Sequence, residues 1–311
     1  MPSIANAGAA SLRPACQKDP VRCSDDARRA CLMSTLEQMT AIYIFVDDWL
    51  KSAPTVAHWR RSNNDHPAFT DAEVITLGLM QCVLGVATLK ETYRHVVRDY
   101  PDAFPRLPTY QQWLARLHAL SAVVGQLIQA ATLGHKMQRR FYLMDSKPIA
   151  VCKPIRHGRV RLLREEGANF GKTQAGWFFG FKLHALTHQS GAILAVVLTP
   201  ANWSDQHVAL ALAWSVQGGV TLGDHGYDAK ELHDLLWKQA KMLMVTPRLV
   251  HALGKNRAII SSLREQIETT FSALWNRFID RVFSRSWEGL WNTIKLKVLH
   301  FNLCKVGVLP A

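Results

Sequence analysis

From Ser34 onward the chain repeats apolar residues at three- and four-residue intervals. LEQMTAIYIFVDDWLK in this way predicts an amphipathic helix that stops before Pro54. Thr70 and Glu73 precede the run VITLGLMQCVLGVATL, so a capping box should open a second helix with apolar residues on nearly every face. Such a helix belongs in a core. Two more helical stretches, ETYRHVVRDY and TYQQWLARLHALSAVVGQLIQAATLGH, are separated by the Pro-bearing segment PDAFPRLP. Residues 33–135 are therefore expected to form an all-helical domain. Residues 1–32 mix Pro, Ala, Gly, Ser and charges without any period, which predicts a disordered extension.

After His135 the period shortens to two. RRFYLMDSKPIAV reads as a strand broken near Pro148, and GWFFGFKLHALTH and AILAVVLTP read as two strands of an antiparallel hairpin. A helix follows Ser204, then a short strand VTLGD, a helix YDAKELHDLLWKQ, a strand KMLMVTP and a long helix from about Asn256 to Phe278. Three strands followed by alternating helices and strands predict, for residues 136–311, an α/β fold: a ribonuclease H-like mixed sheet with helices on its faces. Active groups of open α/β sheets gather where strands end and loops begin.

Charge changes the picture further. Lys and Arg outnumber Asp and Glu by 37 to 24, a formal charge of +13. An excess of this size points to a polyanion, because each phosphate neutralised releases condensed counterions. No apolar stretch approaches the roughly 18–20 residues of a membrane span, and the N-terminus has no continuous apolar core, so neither a membrane helix nor a secretory signal is expected. A cytoplasmic location follows. Cys16, Cys23, Cys31, Cys82, Cys152 and Cys304 show neither close pairs nor a His partner at finger spacing, which argues against structural zinc. Leu89 to Leu117 has the length of a helix-turn-helix, with Tyr110, Gln111, Gln112 and Arg116 as candidate groove residues, although short helices with a few polar residues are more often bundle surface.

Three acids stand out. Asp145 sits in a strand between Leu143, Met144 and further strand residues, where a carboxylate is costly unless paired or metal-bound. Asp224 ends VTLGD between Gly223 and Gly226, at a tight turn suited to a metal-binding carboxylate, while Asp228 is better placed to cap the next helix. In the long helix the choice lies between Glu265 and Glu268. Ile260, Leu263, Ile267, Phe271, Leu274 and Phe278 set its apolar stripe, and Glu268 borders that stripe one turn after Arg264, whereas Glu265 lies farther round. Three carboxylates suit a pair of Mg²⁺ or Mn²⁺ ions, which activate water or a 3′-hydroxyl on one side and stabilise the leaving oxygen on the other.

Basic residues cluster beside them. Lys147, Lys153, Arg156, Arg159, Arg161, Arg164 and Lys172 face only Glu165 and Glu166, as a loop that could clamp DNA phosphates or simply be solvated. Phe170, Trp177, Phe178 and Phe179 could stack on bases, although aromatic residues at strand positions are more often core.

Taken as an ordered set, MDSKPI at 144–149, NFGKT with GWFFGFKLH at 169–184, LTPANWSD at 198–205, LGDHGYD at 222–228 and REQIETTFSALWNRF at 264–278 resemble the DDE transposases of bacterial insertion sequences, and are most similar to the insertion-sequence 982 family. The resemblance runs from about Met33 to the C-terminus. It implies that Asp145, Asp224 and Glu268 are the catalytic metal ligands, with Arg264 the basic position one turn before the glutamate. It gives Asn202 and Asp205 a structural supporting role. Ser261 and Trp275 stand where related transposases carry Tyr and Lys, and His225 stands where Lys is common, which bears on how the transposon end is held.

The activity implied is hydrolysis at the terminal inverted repeats of double-stranded DNA, followed by strand transfer into target DNA. A homodimer on DNA and association with the nucleoid are also implied. Two alternatives stay open: a ribonuclease H-fold nuclease that cuts without joining, and an inactive DNA-binding descendant of a transposase.

Overall fold

The computed structural model describes residues 33–53, 67–136, 141–159, 161–173, 175–216, 218–252 and 284–310, together with Ser261, Ser262, Glu265, Thr269 and Ser272. These form a mixed α/β molecule with a helical N-terminal region and a mixed sheet. The predicted extension 1–32, Arg264 and Glu268 lie outside the described residues. Among those described, no helix is long and apolar enough to cross a membrane, and Cys82, Cys152 and Cys304 are thiols.

The helical region contains α1 (Thr35–Ser52), α2 (Asp71–Val83), α3 (Leu89–Asp99), α4 (Tyr110–Ala119), α5 (Ser121–Ala131) and α6 (Leu133–Lys136). Ser34–Glu37, Thr70–Glu73, Thr88–Glu91 and Thr109–Gln112 each make a reciprocal capping box, so local sequence alone satisfies amide donors at the starts of α1 to α4. Helix α2 is buried on nearly all sides, as its sequence predicts, with Val74, Ile75, Leu77, Leu79 and Met80 fully covered. It ends sooner than the apolar run, at Val83, because the following turn uses Gly85 in the left-handed region at φ 63°. The stretch after Thr109 divides at Leu120 into α4 and α5.

Most of the groove candidates in this region have architectural work. The Arg116 guanidinium donates to the Phe69 carbonyl at 2.6 Å and to Asp71 at 2.8 Å. Gln112 completes a capping box, and Tyr110 packs on Tyr93 and Trp113. Gln111 remains exposed.

The sheet contains β1 (Phe141–Cys152), β2 (Asn169–Thr173), β3 (Gly176–His188), β4 (Ile193–Pro200), β5 (Gly219–Leu222) and β6 (Met242–Val245). Helices α7 (Gln206–Ala213), α8 (Lys230–Ala240) and α9 (Pro247–Ala252) connect or follow its later strands. Strand β3 pairs antiparallel with β1 on one edge, and with β2 and then β4 on the other. On the far side of β1, β5 and β6 run parallel to it. The β3–β4 hairpin is the one its sequence predicts.

Strand β1 corrects the expectation of a break at Pro148: it runs continuously to Cys152. Its ladder to β5 ends at Leu143, so Pro148 lies where one edge of β1 is open and a missing N–H need cost no ladder bond.

The period of two gives the sheet two distinct faces. Tyr142, Met144 and Leu186 pack with Val208, Leu212, Leu232 and Leu236 from α7 and α8. Ile149, Phe181, Leu183 and Ala185 instead join the core of the helical region. A final helix, α10 (Trp287–Lys305), packs against α2, α4 and α5 and closes that core. The Asn302 side chain exchanges two hydrogen bonds of 2.9 Å with the Ile193 backbone, fastening the helical layer to the start of β4.

Candidate active site

Strands β1 and β5 bring two of the predicted acids to the same end of their shared ladder. Their parallel ladder pairs Leu143 with Leu222 and goes no further, and two residues beyond on each strand stand Asp145 and Asp224. By alternation Asp145 shares the face of Leu143, along with Lys147, whose ammonium lies 3.6 Å from the Asp145 carboxylate. The Ser146 amide donates to Asp145 Oδ1 at 2.8 Å. Asp145 keeps 25% of its side-chain surface exposed.

Asp224 begins a 3₁₀ turn, His225–Tyr227, and its Oδ1 accepts the Gly226 amide at 2.9 Å. Small residues are required on both sides of it. A Cβ on Gly223 would come within 2.9 Å of the Tyr227 ring and of Met244 Sδ, and one on Gly226 within 3.0 Å of Asp224 Oδ1. The glycines let the turn fold back so that Tyr227 is completely buried in the core between the sheet and helices α7 and α8. Its hydroxyl has no hydrogen-bond partner among the described residues. Burial, then the charges of Asp205, Asp145 and Asp224, push its ionisation well above the ordinary tyrosine value. Tyr227 is thus a neutral phenol.

On the opposite face lies a polar cluster centred on Asp205. Its Oδ1 accepts Ser146 Oγ at 3.1 Å and Lys182 Nζ at 3.2 Å, and His184 Nδ1 lies 3.6 Å away. Lys182 also donates to the Trp203 carbonyl at 2.9 Å, and His184 Nε2 bonds Thr199 Oγ1 at 2.8 Å. Burial holds His184 well below the ordinary histidine value; Asp205 opposes that shift and Lys182 reinforces it. A neutral imidazole beside an Asp205–Lys182 ion pair keeps the cluster's charge balanced.

The other predicted residues fall in several places. Arg156, Arg159, Arg161, Arg164 and Lys172 are exposed along the segment between β1 and β3. That segment is not a loose loop: turns order it, Leu163 is buried, and the Arg164 guanidinium donates to the His157 carbonyl. Phe170 and Phe179 pack with His157 and Phe178 is buried, which makes them core. Trp177 differs, being 62% exposed with Lys172 Nζ 5.8 Å from its ring centre. Asn202 and His225 are exposed. Glu265 is exposed, as are Ser261, Thr269 and Ser272, which recur at intervals that mark one outward stripe of a helix.

Sequence reasoning missed Ser146, Lys182, His184 and Tyr227, while Asp205 was expected in a supporting role. One signal was available: Lys182 and His184 stand two residues apart on a strand, flanked by the apolar Phe181, Leu183 and Ala185, so both polar groups face one side.

The donors fit a hard divalent cation, since Asp145 and Asp224 offer carboxylate oxygens from just past the last rung of the β1–β5 ladder. Among the described residues no three His, Cys, Asp or Glu side chains are grouped to hold a metal. Asp205 Oδ1 is taken up by Ser146 and Lys182.

Residues 135–281 match the model of a family described as a transposase DDE domain, a span that contains Asp145 and Asp224. The match supports a DDE transposase, and with it a DNA substrate and the divalent-metal chemistry general to such domains. No curated protein and no solved structure matches the chain.

Proposed function

We propose that this protein is the transposase of a bacterial insertion sequence, most similar to the 982 family, and that it cuts its element's terminal inverted repeats and joins the freed ends to target DNA. The observation that carries the reading is that Asp145 and Asp224 stand two residues past the last rung of the parallel β1–β5 ladder, within the span matched by the transposase family. The strand order supports a ribonuclease H-like fold, with an antiparallel hairpin on one side of β1 and parallel strands on the other.

In this reading Asp145, Asp224 and Glu268 hold two Mg²⁺ or Mn²⁺ ions. When bound, such a pair activates the attacking oxygen and offsets charge on the leaving one. The chain's own residues do the rest. Lys147 places a positive charge beside Asp145, where a scissile phosphate would arrive. Arg156, Arg159, Arg161, Arg164, Lys172 and Arg264 hold the flanking DNA backbone. Water attacks the phosphorus at the element's end and the P–O3′ bond breaks; the released 3′-hydroxyl then attacks a target phosphorus, forming a new P–O3′ bond as the target strand's own P–O3′ bond breaks and its 3′-oxygen leaves as a hydroxyl. Because both ends must meet, the working form is a homodimer on DNA, in the nucleoid.

The test incubates the purified protein with labelled linear DNA carrying the element's ends, with and without Mg²⁺ or Mn²⁺, beside Glu268→Gln and Glu265→Gln. Metal-dependent nicking at the ends with strand joining, lost in Glu268→Gln and kept in Glu265→Gln, is expected. Nicking without joining would indicate a nuclease, tight binding without cleavage would indicate an inactive descendant, and loss only in Glu265→Gln would reassign the third ligand.

A further inference from the structure

The β1–β5 ladder stops two residues short of Asp145 and Asp224, so backbone pairing does not fix the separation of the acids where it matters. Two consecutive residues at the start of α7 bridge this gap from the side. Asp205 accepts the hydroxyl of Ser146, the residue directly after Asp145, at 3.1 Å. Gln206 Nε2 donates at 3.0 Å to the carbonyl of Gly226, whose amide in turn binds Asp224 Oδ1 at 2.9 Å. The bracket is itself anchored: Lys182 binds both Asp205 and the Trp203 carbonyl, tying the loop to β3. Space between its arms is closed, since a Cβ on Gly226 would lie 3.3 Å from Asp205 Oδ2.

We propose that Asp205 and Gln206 are positioning residues that set the spacing of the Asp145–Asp224 pair and so its affinity for divalent cations. This rests on the transposase reading of the acids. Neither residue touches metal or DNA phosphate in this role. They act as outer partners of metal ligands do, holding a ligand's backbone where its carboxylate is useful. Gln206 is the more informative of the two, because it lies at the surface end of the bracket and its loss empties no core.

The experiment measures Mn²⁺ binding to the full, metal-free chain by calorimetry without DNA. The melting temperature and the kcat and KM for cleavage of end DNA are followed in parallel. Gln206→Ala should raise the Mn²⁺ dissociation constant about 10-fold, the scale of an outer-partner loss. It should also lower kcat while leaving KM for DNA and the melting temperature near those of the parent. Asp205→Asn should do the same, with a fall in melting temperature where the Lys182 pair is weakened. If Gln206→Ala binds Mn²⁺ as the parent does while Asp145→Asn does not, the bracket is scaffold only and the proposal fails with the transposase reading intact. If the parent itself neither binds Mn²⁺ nor cuts DNA, both fall together.

Discussion

Among the described residues, two sets of buried or half-buried ionisable groups, one in the helical layer and one at the site, differ in the partners they are given. In the helical layer Cys82, Lys297 and His300 sit among aliphatic side chains, and burial is the largest influence on each: the Cys82 thiol is pushed up to about 12, His300 down to about 4, and Lys297 below its ordinary value. Burial there drives groups toward their neutral forms. At the sheet end Asp205 keeps a Lys182 ammonium at 3.2 Å and a Ser146 hydroxyl at 3.1 Å, while Asp145 has Lys147 at 3.6 Å. There the carboxylates are given cationic and hydroxyl partners rather than aliphatic surroundings. The first region is built for stability, and the second holds negative charge in fixed places for a cation to use. Substitutions should therefore separate stability from activity.

The largest effect should come from Asp145→Asn, which keeps shape and removes charge. Cleavage should fall on the order of a thousandfold, beyond the roughly 10–100-fold that loss of an outer partner causes. Metal-free DNA binding, read by fluorescence anisotropy, should hold. Equal loss of binding would mean that Asp145 is architectural and the two regions are alike. Next in size is the acid sensitivity of the helical layer. His300 titrates near 4 when folded against 6.5 ordinarily, so the unfolded chain takes up the proton first as pH falls. Its contribution is complete above pH 6.5 and is lost as pH falls from 6.5 to 4. The size is about 3 kcal/mol. Denaturant melts at pH 7 and pH 4.5 should show a smaller acid loss in His300→Gln than in the parent, and parallel losses would remove His300 as the cause.

Much of this contrast is legible in the sequence because it is local. The capping boxes at Thr70 and its counterparts, the apolar run of α2 and the alternation of β3 each carry their structure within a few residues. The positions of Asp145 and Asp224 follow from equally local signals, an acid among apolar strand residues and an acid at a glycine-flanked turn. What escaped depends on distant partners. β2, NFGKT, has little alternation and is a strand because β3 pairs with it. α10 buries Lys297 and His300 along with its apolar residues, so it shows no polar face to read as amphipathic. The Asp205–Lys182–Ser146 cluster joins residues from β1, β3 and the loop before α7, and no spacing along the chain announces it.

The smallest and sharpest test pairs two glycines, one from each region. In α2, a Cβ on Gly78 would meet Leu296 Cδ1 at 3.1 Å and Leu117 Cδ1 at 3.3 Å, both ends of flexible side chains in a close-packed core. Overpacking of this kind costs about 1–3 kcal/mol, and replacing a mid-helix glycine by alanine returns about 1 kcal/mol. Gly78→Ala should therefore lose about 1 kcal/mol of stability, on those two scales, with cleavage unchanged. A Cβ on Gly226 meets instead two carboxylate oxygens, Asp224 Oδ1 at 3.0 Å and Asp205 Oδ2 at 3.3 Å, and to make room either acid must shift. Gly226→Ala should thus lower cleavage about 10-fold, as a disturbed outer partner does, while its melting temperature stays near the parent's. Measured side by side, the two variants should trade places between a melting curve and a cleavage assay. If Gly226→Ala cleaves like the parent, the turn gives without moving the acids, and the rigidity assigned to the sheet end belongs to the helical layer instead.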